Sequence, residues 1–454
     1  MALWFETALV EGEWRDGVRI DHRGGVIVGV ETAGPSPADE RGAIAVPGLG
    51  NVHSHAFQRG MAGLAERRDG GADADDSFWT WRQVMYGFLD RLDPEDVEAI
   101  AALAYVEMLE SGFTRVGEFH YLHHAPDGHP YDDPAELASR IGAAAEATGI
   151  GLTLLPVFYA HGGFGGAPPA PGQRRFVNSL DDFVALHAAA RLSTSHLQGA
   201  IVGVAPHSLR AVTPAEIQLL TTIAGPAPVH IHIAEQGQEV AECLATHGCR
   251  PVDWLMDQVA VDNRWCLVHA THLSALEVDR IARAGAVVGL CPITEANLGD
   301  GLFPASDFLA QGGRIAIGSD SNVLIDSAEE FRILEYGQRL STRKRNVLAC
   351  AARPSVGGRL FRDAQSGGAQ ALGVPRGGLA VGKSLDLVSL DGDHPSLVGR
   401  RGDALLDGWI FAGRGGAVDS VWRGGRKVVS AGRHHSRDAI VARYRQRLAG
   451  LLTR

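Results

Sequence analysis

The chain has 454 residues, of which 45% are hydrophobic and 21% charged, a balance near the globular average that excludes a disordered chain or a coiled coil. Lys and Arg number 42 against 53 Asp and Glu, a formal charge of −11 with no basic stripe, so the expected partner is a small-molecule substrate and not a nucleic acid. No apolar run approaches the roughly 18 residues of a membrane span, and Met1-Ala2-Leu3-Trp4-Phe5-Glu6 lacks a basic leader, so a cytoplasmic protein without a membrane partner is expected.

In chain order, Leu3–Glu31 alternates short apolar runs with turn residues, which predicts strands of a small β-domain over residues 1–46. Short runs rich in Val, Ile and Leu then alternate with helical-period segments over residues 47–365. The predicted strands are Ala43–Leu49, Phe113–Phe119, Leu152–Phe158, Ile201–Ala205, Val229–Ile233, Trp265–His269, Ala286–Leu290 and Arg314–Gly318. Pro94–Glu110 follows Asp93, and Pro214–Ile223 follows Thr213, as helices capped by an oxygen side chain with proline in the first turn. The glycine-rich stretch Gly162–Gly166 reads as a mobile loop and not a phosphate loop, because no lysine follows it. Gly377–Leu390 and Val421–Ser430 return to the strand pattern, so residues 366–435 complete the small β-domain and 436–454 form a terminal helix. The expected fold is α/β: a distorted (β/α)8 TIM-like barrel with a small β-sandwich domain built from both chain ends, a doubly wound open sheet being the competitor. Five cysteines (Cys243, Cys249, Cys266, Cys291, Cys350) without a Cys-x-x-Cys pair fit reduced thiols.

In such a barrel the chemistry sits at the carboxyl ends of the strands. Strand one runs into His53-Ser54-His55, whose imidazoles share one face because side chains alternate with period two. Strand five reaches His232 with Glu235 three residues on, strand six ends in His269, and strand eight leads to Asp320. Histidines with one carboxylate suit Zn²⁺ or another first-row ion such as Fe²⁺, with a position left open for water whose pKa falls to roughly 7. Spacing alone leaves open whether His269 ligates the ion or faces it. Lysine occurs only at Lys344, Lys383 and Lys427, so the end of strand four, Val204-Ala205-Pro206-His207-Ser208, offers no lysine to bridge two metals; one ion is favoured. The loop histidines His120, His123, His124 and His129 invite a second metal reading, but they lack partners elsewhere in the chain.

The stretches Pro47-Gly48-Leu49-Gly50-Asn51-Val52-His53-Ser54-His55, His232-Ile233-Ala234-Glu235 and Gly318-Ser319-Asp320-Ser321 resemble the amidohydrolase superfamily, in its mononuclear deaminase branch. Phe78-Trp79-Thr80-Trp81-Arg82, Gly117–His124, Cys291–Gly301 and Leu334–Leu340 narrow the resemblance to the formimidoylglutamate deiminases of histidine degradation. The resemblance implies one Zn²⁺ per subunit on His53, His55, His232 and Asp320, with Glu235, His269 and Asp320 catalytic. It implies substrate contacts at Gln58, Arg82, Tyr121, His207 and Arg210, and a homodimer. Asn322 departs from a histidine expected in many relatives, which bears on substrate positioning. On this reading Asp320 takes a proton from the attacking water, Glu235 protonates the departing nitrogen, and His269 stabilises the tetrahedral intermediate. Arg82 and Arg210 match a substrate with two carboxylates, since guanidinium binds carboxylate bidentately. The alternatives are another mononuclear zinc deaminase acting on an aminated heterocycle, whose pocket needs apolar walls in place of paired arginines, and a non-enzymatic relative that has lost the metal.

Overall fold

The computed structural model describes residues 2–67, 76–376 and 378–453; Gly377, the start of one predicted flanking segment, lies outside the described residues, as do Met1 and Arg454. Eight parallel strand positions occupy the centre: Leu49–Ser54, Phe113–His120, Gly151–Phe158, Ile201–Val202 continued by Ala205–Pro206, Val229–Ile233, Trp265–His269, Val287–Leu290 and Arg314–Ile317. Their residues are almost all buried, as strands covered on both faces must be. The eighth strand returns to the first through Ile317 opposite Asn51. The circle closes between the fourth and fifth through single bridges, Val204 to Val229 and Ser208 to His232. This last closure sets His207 beside the metal-side strand. A cluster of Val52, Cys266, Val268, Val287, Ala316 and Leu372 fills the barrel interior.

The fifth and sixth strands keep their predicted bounds, and most others move by one or two residues. The first is corrected. Ala43–Leu49 is one apolar run, yet Glu40–Pro47 belongs to the small sheet and Leu49–Ser54 to the barrel. The chain changes sheets at Gly48, where any side chain would strike Thr114. The helix Pro94–Glu110 has its predicted bounds because both ends of a capping box are present: Asp93 accepts from the Asp96 N–H at 2.8 Å and Asp96 from the Asp93 N–H at 3.2 Å. The helix after Thr213 runs one residue further, Pro214–Ala224, with the same reciprocal cap to Glu216. The stretch Gly162–Gly166 folds as a short 3-10 turn closed by Gly162 N–H on the Ala167 carbonyl at 2.8 Å. All five cysteines are unpaired.

The second sheet takes Ala2–Val10, Glu13–Arg23, Val26–Thr32 and Glu40–Pro47 from the start of the chain, and Leu387–Leu390, Val418–Arg423, Arg426–Ser430 and Arg433–His434 from its end. Leu387–Leu390 pairs antiparallel with Glu40–Pro47 and joins the two halves. The sheet folds over its own apolar cluster, in which Phe5 meets Trp422 edge to face at 6.1 Å although two strands separate theirs. At its mouth the hairpin turns Gly24-Gly25 and Gly424-Gly425 touch: a Cβ on Gly425 would lie 2.9 Å from the Cα of Gly25. Both Gly25 (φ 84°) and Gly425 (φ 74°) hold left-handed backbone. Gly25→Ala is therefore expected to cost about 1–3 kcal/mol of stability, since strain and a collision with the Gly424 carbonyl add. A lowered unfolding midpoint with unchanged kcat below it checks this.

Candidate metal and substrate site

The polar strand ends open onto one pocket. His53 and His55 leave the first strand, His232 lies in the fifth, and Asp320 follows the eighth in left-handed backbone at φ 44°. Asp320 is pinned to the first strand by its N–H on the His53 carbonyl and its carbonyl under the His55 N–H, each at 2.9 Å. The His55 Nδ1 donates to the Phe119 carbonyl at 2.9 Å and the His232 Nδ1 to the His207 carbonyl at 3.0 Å. Those bonds turn the bare Nε2 atoms inward. His53 Nε2 lies 3.2 Å from His55 Nε2 and 2.9 Å from His232 Nε2, and Asp320 Oδ1 lies 3.3 Å from both His53 and His55. Burial pushes His53 down to about 3 and holds His55 and His232 below their ordinary value, so these rings are neutral. Lone pairs and a carboxylate at such separations repel unless a cation lies among them. The edge of a tetrahedron with zinc–nitrogen bonds is about 3.3 Å, so the donor set fits a tetrahedral divalent ion. His53, His232, His269 and Asp320 also bring one donor atom each within 4.8 Å of one another, so the choice between His55 and His269 rests on the shorter separations of His55.

His269 stands apart. Its Nε2 is 3.8 Å from Asp320 Oδ2 and 3.8 Å from Glu235 Oε1, and its Nδ1 is 3.2 Å from Glu295 Oε1. Burial works against its charge, but Glu235, Glu295 and Asp320 together raise it well above the usual imidazole range. Burial opposes the charge on Asp320 too, and the His53 contact with the neighbouring imidazoles still holds this carboxyl far below its ordinary value. Burial pushes Glu235 up to about 7, against the pull of His269. Two carboxyls flanking one ring thus have opposite protonation tendencies. Glu235 is aimed by Glu239, which accepts the Ala234 and Glu235 N–H groups at 3.1 and 3.2 Å.

Across the pocket stand Arg82, from the helix Phe78–Leu89, and Arg210, from the turn after the fourth strand. Their guanidiniums lie 4.4 and 5.6 Å from the Trp79 ring. Among the described residues neither has a carboxylate at ion-pair distance, and the Nε of each is buried without a hydrogen bond. Gln58 donates to the Tyr121 hydroxyl at 2.8 Å, leaving its own Oε1 unpartnered. His207 shares the same wall, held neutral by burial and by Arg210. Every predicted site residue is brought together: His53 is fully buried beneath the pocket and the other ten line it.

Sequence reasoning missed Trp79, Tyr159, Glu239 and Glu295. Tyr159 follows the third strand, lines the pocket and accepts from Gln173 at 2.5 Å, so its place at a strand end was the available signal. Asn322 faces away from the pocket. Its amide donates to the Ser54 hydroxyl at 3.1 Å and the Asp320 carbonyl at 3.0 Å, while its oxygen accepts from Ser319 at 2.6 Å. It therefore braces the loop of Asp320. Asn322→Ala is expected to lower kcat about 10- to 100-fold with KM little changed, as loss of a support behind a metal ligand does; steady-state kinetics decides. The loop histidines are not gathered: His123 and His124 bond the Val157 and Val177 carbonyls instead.

The sequence profile of the amidohydrolase family matches residues 44–428. A formimidoylglutamate deiminase of Pseudomonas aeruginosa is 51% identical over 99% of this chain and 99% of its own. The crystal structure of an amidohydrolase from Brucella melitensis superposes with a TM-score of 0.96 at 53% identity, covering 99% of each chain. An adenosine deaminase from Xanthomonas campestris, solved with bound zinc, shares the fold at a TM-score of 0.82 and 24% identity, over 100% of this chain and 98% of that one.

Proposed function

The chain belongs to the amidohydrolase family, and we propose that it hydrolyses N-formimidoyl-L-glutamate to N-formyl-L-glutamate and ammonia, with one Zn²⁺ per subunit on His53, His55, His232 and Asp320. The observation that carries the reading is the pair of unpartnered guanidiniums, Arg82 and Arg210, facing the His/Asp cluster across one pocket. A substrate with two carboxylates and one amidine carbon needs cationic forks at one end and water activation at the other. The likeness to the Pseudomonas aeruginosa deiminase over nearly the whole chain supports the same substrate.

The divalent ion supplies Lewis-acid activation of water at neutral pH. Arg82 and Arg210 hold the carboxylates, with Gln58, Tyr121 and His207 on the same wall, so the formimidoyl carbon is presented between Asp320 and Glu235. Asp320 Oδ2 accepts a proton as the water oxygen bonds to that carbon, and the protonated Glu235 gives its proton to the imino nitrogen. His269, charged and steadied by Glu295, stabilises the tetrahedral intermediate with its Nε2–H. When the bond to the former imino nitrogen breaks, the proton held by Asp320 passes to it. As ammonia leaves, the hydroxyl proton of the intermediate passes to the Glu235 carboxylate, so that the carbonyl of the formyl product forms and Glu235 regains its proton.

Incubation with N-formimidoyl-L-glutamate beside a panel of aminated heterocycles tests the reading: ammonia is expected from the former. Release from the heterocycles alone defeats it. We place the activity in the cytoplasm, in a homodimer, as the family resemblance suggests; among the described residues no helix is long and apolar enough to cross a membrane.

A further inference from the structure

A second cavity of ≈ 440 Å³ lies at the opposite end of the barrel, within the size range of small-molecule sites. It opens to solvent on one side and is lined by the starts of the barrel strands (Leu49, Thr114, Arg115, Ile201), by the helix Val356–Ala371 and by the folded sheet. Its charged lining consists of Arg115, Lys383 and Arg423 against the single carboxylate Asp386. This is an excess of positive charge in a chain whose net charge is −11.

The two guanidiniums are held by uncharged oxygens and not by ion pairs. Arg115 Nη1 donates to the Leu152 carbonyl at 2.8 Å and Thr153 Oγ1 at 3.1 Å, and its Nη2 to the Gly199 carbonyl at 2.7 Å. Arg423 Nη2 donates to the Gln198 carbonyl at 3.1 Å, while its Nε is buried with no hydrogen bond. Asp386 is occupied by the Gly424 N–H at 2.7 Å and the Ser384 hydroxyl at 3.0 Å. Among the described residues no carboxylate lies at ion-pair distance from Arg115, Arg423 or Lys383. A side chain at Gly199 (φ +68°) would sit 3.6 Å from Arg115 Nη2 and 3.8 Å from Arg423 Nη2, so both guanidiniums flank one bare backbone position. Burial above all, and then the charge of Arg423, pull Arg115 down to about 10, against a smaller opposing effect of Asp386. The remaining walls are apolar or uncharged, among them Val26, Leu49, Ile201, Leu372 and Val374.

We propose that this cavity binds a small molecule with an anionic head, a carboxylate or a phosphate, seated between Arg115, Arg423 and Lys383 and carrying a compact uncharged body against the apolar wall. Such a ligand ties the folded sheet to the base of the barrel without touching the reaction site.

Benzoate and inorganic phosphate serve as probes, titrated calorimetrically into the intact metal-loaded protein at constant ionic strength, with chloride as control. Saturable binding of either is expected; phosphate alone or benzoate alone identifies the head group. Arg423→Gln keeps a donor for the Gln198 carbonyl, and Lys383→Ala changes a partly exposed side chain. Each is expected to weaken binding about tenfold or more, with kcat/KM for ammonia release within about twofold of the parent. Binding must persist when Arg82 and Arg210 are both replaced by Ala. Binding no stronger than chloride, unaltered binding in Arg423→Gln and Lys383→Ala, or loss in the Arg82/Arg210 variant alone overturns the proposal.

Discussion

Asp320→Ala is expected to abolish ammonia release and to strip the divalent ion from the purified protein. The residue presents Oδ1 to His53 and His55 at 3.3 Å, and Oδ2 toward His269 at 3.8 Å, so one truncation removes a ligand and a proton acceptor together. General base catalysis alone contributes about 10²–10⁴-fold, and loss of the ion comes on top of it. The fold is expected to survive, because the bonds that fix this loop to the first strand run through the backbone of residue 320. Glu235→Gln supplies the contrast. It removes only the proton donor, so kcat is expected to fall about 10²–10⁴-fold with metal content unchanged. Metal analysis and kcat on both variants decide; an Asp320→Ala protein with full metal and parental turnover overturns the assignment.

Replacing either arginine of the pocket gives the second large effect. Arg82→Ala and Arg210→Ala are each expected to lower kcat/KM about 10- to 150-fold, the worth of one charge-assisted contact to a buried carboxylate. The loss is expected chiefly in KM, since the carboxylates are bound alike before and during attack. Lysine is not expected to restore either one. A single ammonium lacks the planar fork, and it surrenders the stacking on Trp79 that holds both guanidiniums ready. Steady-state kinetics with the dicarboxylate substrate measures this, and parental KM in both variants removes the arginines from the binding site.

The barrel and the metal-side residues could be read directly because their signals are local. Val229–Ile233 and Trp265–His269 are short runs of Val, Ile, Leu and Trp that carry a histidine at or next to their last position, and burial on both faces makes such runs visible without knowledge of neighbours. The first strand misled for the same reason. Nothing in the apolar character of Ala43–Leu49 tells which of two sheets each half enters, and only the collision at Gly48 decides. Glu295 and Trp79 escaped because each acts across the fold: Glu295 reaches a histidine 26 positions earlier, and Trp79 matters through an arginine on another loop. Glu239 acts locally, on the Ala234 and Glu235 N–H groups, through a turn whose geometry the residue types do not reveal. Asn322, standing where many relatives are expected to carry histidine, bore on substrate positioning in the sequence. Its hydrogen bonds instead run backward into the serines behind the site.

The pairing of Leu387–Leu390 with Glu40–Pro47 has a consequence for biosynthesis. At about 5–20 residues per second, the earlier strand waits roughly 20–70 s on the ribosome for its partner. Meanwhile its unpaired edge offers a template for another nascent copy. A message truncated between Asp320 and Leu387 would leave that edge bare for good, so such fragments are expected to precipitate even though every catalytic group has been made.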